Sequence, residues 1–208
     1  MTPSDPIALS EWRRTVAEAY AAVRQTALTD PERARRGWRA TRDTLFKTHA
    51  QTPLAVAALD AFPGLGYYPY DPHWRLTGTL DRQVAVETFN LDLPAEGRIQ
   101  YTRVAQANFS VDGQPACLSL FWIEGYGGGL FLPFTDATNS VDTYGGGRYL
   151  FDTIKGADLG VTATEIVLDF NFAYNPSCAY DPRWVCPLAP RENRLPFAVP
   201  AGEKQFDH

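Results

Sequence analysis

The apolar positions change period once along the chain, near residue 74. Before that point Leu9, Trp12, Val16, Ala19, Tyr20, Val23 and Ala27 recur at steps of three and four, which lays one apolar stripe along a helix of about five turns. Ser10 supplies an N-cap hydroxyl for it. A second helix opens at Thr29-Asp30-Pro31-Glu32. Pro31 sits in the first turn, where its missing N–H costs nothing, and Glu32 follows Thr29 by three as in a capping box. This helix runs to about His49 with Trp38, Leu45 and Phe46 inward, and Thr52-Pro53 starts a short apolar helix through Ala61. Two long helices with a tight joint predict a hairpin that packs on a sheet.

After residue 74 the period is two. Strands are predicted at Trp74–Leu80, Gln83–Asn90, Arg98–Val111, Ala116–Glu124, Leu130–Phe134, Arg148–Thr153 and Glu165–Phe170. Asp112-Gly113, between two such runs, carries the positive φ of a tight hairpin. Short links favour antiparallel neighbours. The expected fold is therefore mainly β within the α+β class. A helical hairpin packs on an antiparallel meander that forms a β-barrel or a two-sheet sandwich. One domain over 1–208 is expected, with a helical prefix at 1–61 and a β-rich part at 62–208 that ends in an irregular Pro- and Asn-rich tail.

Composition narrows the function classes. A hydrophobic content of 45% with 21% charged residues is ordinary globular composition. The net charge of −5 argues against a nucleic-acid partner, which needs a basic face. Arg33, Arg35, Arg36, Arg39 and Arg42 nevertheless crowd one segment. A solvated helix face is the ordinary reading, and a docking site for a protein partner is the alternative. No basic n-region precedes an apolar run at the N-terminus, and no apolar segment reaches membrane-spanning length, so a cytoplasmic protein without a membrane partner is expected.

Several strings are specific in combination: Phe134-Thr135-Asp136-Ala137-Thr138, Thr143-Tyr144-Gly145-Gly146-Gly147-Arg148-Tyr149-Leu150, Leu168 through Tyr180, and Cys186-Pro187-Leu188-Ala189-Pro190-Arg191-Glu192-Asn193-Arg194-Leu195. With Thr52-Pro53-Leu54 and Phe62 through Pro69 upstream, they resemble the bacterial and archaeal family known as domain of unknown function 1684. The resemblance covers most of the chain except the first helix. It implies a β-rich fold and brings no assigned activity, cofactor or substrate.

The candidate chemistry gathers between Asp169 and Asn193 and in two loops before it. Alternation along the last strand puts Asp169 and Asn171 on one face and Phe170 and Phe172 on the other. The two polar groups either bond the neighbouring loop backbone or meet a ligand. In Tyr144-Gly145-Gly146-Gly147-Arg148 the glycines could turn backbone N–H groups towards an anion, with Arg148 as a planar cationic fork. The ordinary alternative is a turn with Arg148 paired internally to Asp136 or Asp169. Asp136 and Asp169 are the candidate acid–base carboxylates. Tyr144, Arg148, Asn171, Tyr174 and Asn193 are the candidate ligand-binding residues. Cys178 and Cys186 read first as structural thiols, then as a disulfide, then as metal ligands, for which no second pair completes a zinc site, and last as a nucleophile, which no nearby histidine activates. His49, His73 and His208 show no ligand spacing.

Three functions follow as expectations. The first is a module for a small and possibly anionic ligand, with an aromatic-lined cleft. The second is a hydrolase or lyase using Asp136 or Asp169 with Arg148. The third is a protein-interaction module docking through the arginine-rich helix. No motif points to a particular cofactor.

Overall fold

The computed structural model describes residues 5–93 and 97–206; His208 lies outside them. Helix α1 spans Pro6–Thr26 and α2 spans Pro31–Thr48, joined as the predicted hairpin. The caps differ in detail from the reading above. The Asp5 carboxylate accepts from the N–H groups of Ile7 and Ala8, with Pro6 opening the helix. Ser10 therefore lies a turn inside, because a proline is best placed in the first turn and the residue before it becomes the cap. In α2 the cap is Asp30, which accepts from the Arg33 N–H. Glu32 pairs with Arg36 along the exposed face at 3.2 Å. A short helix, α3, covers Val56–Leu59.

The β-rich part is one seven-stranded sheet: β1 Arg75–Asp81, β2 Thr88–Leu93, β3 Gly97–Val111, β4 Gln114–Ile123, β5 Gly129–Phe134, β6 Arg148–Asp152 and β7 Glu165–Asp169. The path runs β6-β5-β4-β3-β1-β7, and every pairing is antiparallel. Strand β3 is long enough to serve two partners on one edge. Its first half pairs with β2 and its second half with β1, while β4 lies along the other edge. Register shifts in the β3–β4 and β5–β6 ladders mark bulges, which bend strands and raise local twist. The sheet curls into a half-barrel, left open because its end strands β6 and β7 form no ladder with each other among the described residues. Asp112 and Gly113 make the β3–β4 hairpin with φ of 51° and 78°.

The helical hairpin lies over the sheet. Tyr20, Val23 and Trp38 join Leu118, Leu132, Phe134, Leu168 and Phe170 in one buried cluster. Trp38 meets Phe172 edge to face at 5.3 Å, a geometry that aromatic quadrupoles favour. After β7 the chain has no further strands or α-helices among the described residues. It crosses the sheet as a tail of single turns pinned by side chains. No helix is long and apolar enough to cross a membrane among the described residues.

Candidate functional site

A pocket opens between the helical hairpin and the start of the tail. Its cavity volume is about 70 Å³, and it opens to solvent. Trp12, Val16, Tyr20 and Trp38 line it from the helices, and Tyr149, Tyr174 and Tyr180 from the sheet and tail. Such a concave, largely aromatic wall with a few polar groups is the ordinary form of a small-molecule site.

The polar floor is built around Arg42. Its Nη2 donates to Glu203 Oε2 at 2.7 Å and to Tyr180 OH at 3.3 Å, and its Nε donates to Tyr67 OH at 3.0 Å. Among the described residues Nη1 makes no hydrogen bond. The guanidinium also lies about 5 Å from the ring centres of Trp38, Phe46 and Tyr174, where ring faces attract a cation. Glu203 is 1% exposed. Besides Arg42 it accepts from Tyr180 OH and from the Asn175 N–H. Burial pushes the Glu203 carboxyl above its usual range, while Arg42 and the other donors pull it back. Burial likewise raises the phenols of Tyr20, Tyr67, Tyr174 and Tyr180, which keeps them neutral donors.

Among the residues that line this pocket, Asn175 Oδ1 is buried without a hydrogen-bond partner, and Tyr20 OH and Trp38 Nε1 have only each other, in poor geometry. Tyr20 and Trp38 meet edge to face with ring centres 6.1 Å apart. Asn175 donates through Nδ2 to Lys204 O at 2.7 Å, which fixes its amide orientation and leaves Oδ1 as the unused acceptor. An unsatisfied buried polar group costs about 1–3 kcal/mol, so one orphaned oxygen and a weakly satisfied pair beside one space favour something polar there.

The residues singled out from sequence separate into several groups. Tyr174 lines the pocket. Arg148 is 0% exposed, and its Nη2 donates to Asp136 Oδ2 at 2.8 Å. The remaining donations go to the carbonyls of Val199, Ala201 and Glu203. Asp136 Oδ1 in turn accepts from the N–H groups of Thr138 and Val199. This pair ties the tail to the β5–β6 loop, and neither member lines the pocket. The glycine run before Arg148 is a turn closed by Gly147 N–H to Tyr144 O. At Gly147, with φ of 91°, a Cβ would stand 2.5 Å from Phe134 O.

Asp169 is also wholly buried, at the end of β7, and accepts from Arg75 Nη1 and from the Asn171 backbone and side chain. Asn171 clasps the backbone of Asp71 with both ends of its amide. Asn193 bridges two strands, accepting from Ser119 N–H and donating to the carbonyls of Ser119 and Pro133. Asp136 and Asp169 share no hydrogen-bond partner. Tyr144 OH donates to Cys178 Sγ, and Cys178 and Cys186 are free thiols in contact. Among the described residues no group of three or more His, Cys, Asp or Glu side chains is placed to hold a metal.

The arginine-rich segment divides in a way the sequence reading did not anticipate. Arg33 and Arg36 are exposed, whereas Arg35 is 3% exposed and Arg42 is packed among aromatic rings. The segment is therefore only partly a solvated face. Positions 35, 38, 42 and 45 advance by three and four, so the period that turned Trp38 and Leu45 inward also placed two arginines beside them. That spacing was the available signal for Arg42. Glu203, in irregular chain, offered none.

Comparisons with known proteins place the chain in a context without an assigned activity. No curated protein matches it. A solution NMR structure of the uncharacterized protein from gene locus rrnAC0354 of Haloarcula marismortui is similar, with 34% identity and a TM-score of 0.65, covering 86% of this chain and 96% of that one. Residues 60–204 match the family described as protein of unknown function (DUF1684), and the chain belongs to that family.

Proposed function

We propose that the protein binds a small molecule in the pocket between its helical hairpin and its tail. The observation that carries this reading is an aromatic space whose lining residues hold buried polar atoms with little or nothing to bond: Tyr20 OH and Trp38 Nε1, which have only each other, and Asn175 Oδ1, which has no partner. Two of these are potential donors and one is an acceptor. They suit a ligand with a flat or branched apolar body and a compact polar head. Arg42 and Lys155 line the same space, while the carboxylates they pair with, Glu203 and Asp152, stand behind it; a cationic lining favours an anionic head such as a carboxylate. The anion partner in this reading is Arg42, which lines the pocket and keeps Nη1 unused while Nη2 pairs with Glu203, rather than Arg148, which does not line it.

A thermal-shift titration with aryl and branched-alkyl carboxylates, alongside their neutral amides, tests this. A ligand that selects the native state stabilises it by RT ln(1 + [L]/Kd), about 2.7 kcal/mol at a hundredfold excess over Kd. Stabilisation by a carboxylate is expected, and Ala19→Trp, which fills the space, should abolish it. A panel without any stabiliser, or one whose stabilisers act equally on Ala19→Trp, overturns the reading.

A further inference from the structure

Beyond the pocket, the tail holds a second chemically distinct cluster. Cys178 lies in a single turn at Ser177–Ala179, and Cys186 returns to it across the loop that follows. The Cys178 N–H points at Cys186 Sγ with a separation of 3.4 Å, and Tyr144 OH donates to Cys178 Sγ at 3.6 Å. Both cysteines are partly exposed and free. Cys178 and Tyr144 line an open surface cleft, together with Ala179, Pro182, Gln205 and Phe206. The third cysteine, Cys117, sits in β4 away from this group. A thiol at the wall of a cleft, held by a hydroxyl donor and faced by a second thiol, has the parts of a dithiol exchange centre.

We propose that Cys178 and Cys186 form a redox-active site for thiol–disulfide exchange, with Cys178 as nucleophile, Cys186 as resolving thiol and a low-molecular-weight disulfide as substrate. In the first step the Cys178 thiolate attacks one sulfur of RS–SR. A Cys178–SR bond forms, the RS–SR bond breaks, and the expelled thiolate takes a proton from solvent. In the second step Cys186 loses its proton to solvent and attacks Cys178 Sγ, forming the Cys178–Cys186 disulfide and expelling the second thiol. One small disulfide is reduced to two thiols while two protein thiols are oxidised to one disulfide.

The roles of the two cysteines follow from their surroundings. Hydrogen bonds from Cys186 and Tyr144 hold the Cys178 thiol down at about 6, so it is mostly thiolate at neutral pH. Its own hydrogen bond to Cys178, and burial, push Cys186 up, which keeps it protonated until the mixed disulfide forms. Tyr144, raised to about 12 by burial and by Cys178, remains the neutral donor. Burial raises Cys117 as well, so it should react more slowly than Cys178.

The full-length protein incubated with glutathione disulfide, acid-quenched, alkylated and mapped by peptide mass provides the test. The expected product is one Cys178–Cys186 disulfide per chain, with Cys117 alkylated. Cys186→Ser should stop at glutathione on Cys178. In the wild-type protein the pH profile of Cys178 alkylation should have its midpoint near 6, and Tyr144→Phe should move that midpoint upward. Glutathione trapped on wild-type Cys186, no intramolecular disulfide, or all three thiols alkylating with the same pH profile would each overturn the proposal. The alkylation profile needs no variant, so a misfolded substitution leaves the test intact.

Discussion

Arg42 and Glu203 stand 2.7 Å apart across most of the fold, one in the middle of α2 and the other near the end of the tail, with the Glu203 side chain 1% exposed. This contact fastens the helical hairpin to the segment that forms the pocket floor. Removing one partner leaves the other charge buried and uncompensated, which typically costs about 3–5 kcal/mol. Arg42→Met should lose stability of that order in urea unfolding. The double variant Arg42→Met with Glu203→Gln should recover a substantial part, because it leaves no unpaired charge. Equal loss in the single and double variants would show that packing, rather than charge, dominates at this contact.

Tyr20 separates stability from binding. Its hydroxyl is buried with only Trp38 Nε1 to bond, in poor geometry, so Tyr20→Phe removes a desolvated group and loses one weak contact. The variant should be as stable as wild type or more so, by up to about 1 kcal/mol. If the hydroxyl meets a ligand, the same variant should show a smaller ligand-induced thermal shift. A clear loss of stability in the absence of ligand would instead mean that the hydroxyl is satisfied within the fold.

Arg148 should behave as a structural residue. Its guanidinium holds Asp136 and the carbonyls of Val199, Ala201 and Glu203 in a fully buried setting. Arg148→Met should destabilise by about 3–5 kcal/mol and expose the tail to limited proteolysis. A well-folded Arg148→Met with an intact tail would contradict the role assigned to this pair.

The helix caps give a sharp local comparison. Asp5→Ala removes an acceptor for two N–H groups at the start of α1 and should cost about 1 kcal/mol. Ser10→Ala, inside the same helix, should be neutral or slightly favourable, since alanine is the better helix former. Thermal midpoints of the two variants read the difference directly.

Asp169 gives a pH dependence with a defined sign. Burial raises its carboxyl above the ordinary 3.8, although Asn171 and Arg75 partly oppose this. A raised folded pKa means that the native state binds the proton more tightly than the unfolded chain does. The contribution of this group therefore falls as pH rises through the window that opens at 3.8 and ends at the folded value. Asp169→Asn should remove that decline, so its stability relative to wild type should rise across the window. Urea midpoints measured between about pH 4 and 7 check the slope.

The sequence by itself determined the elements and their class. Period 3.6 followed by period 2 set the helical hairpin and the strands, because periodicity records which face each residue must bury. Asp112-Gly113 set its hairpin, since the positive φ there is a local steric requirement. The motif from Leu168 to Tyr180 was legible as special, and Tyr174, Tyr180 and their neighbours do line the pocket. Tertiary structure decided what the charges are for. Asp136 and Arg148 are twelve positions apart and read equally well as catalytic or structural from sequence, and only the fold shows them fully enclosed and bonded to each other. Arg42 and Glu203 are separated by 161 positions, a distance at which no local pattern couples two residues. The pocket exists only where α1, α2, β6 and the tail converge. Its poorly satisfied atoms are defined by how little reaches them, and that depends on packing in three dimensions.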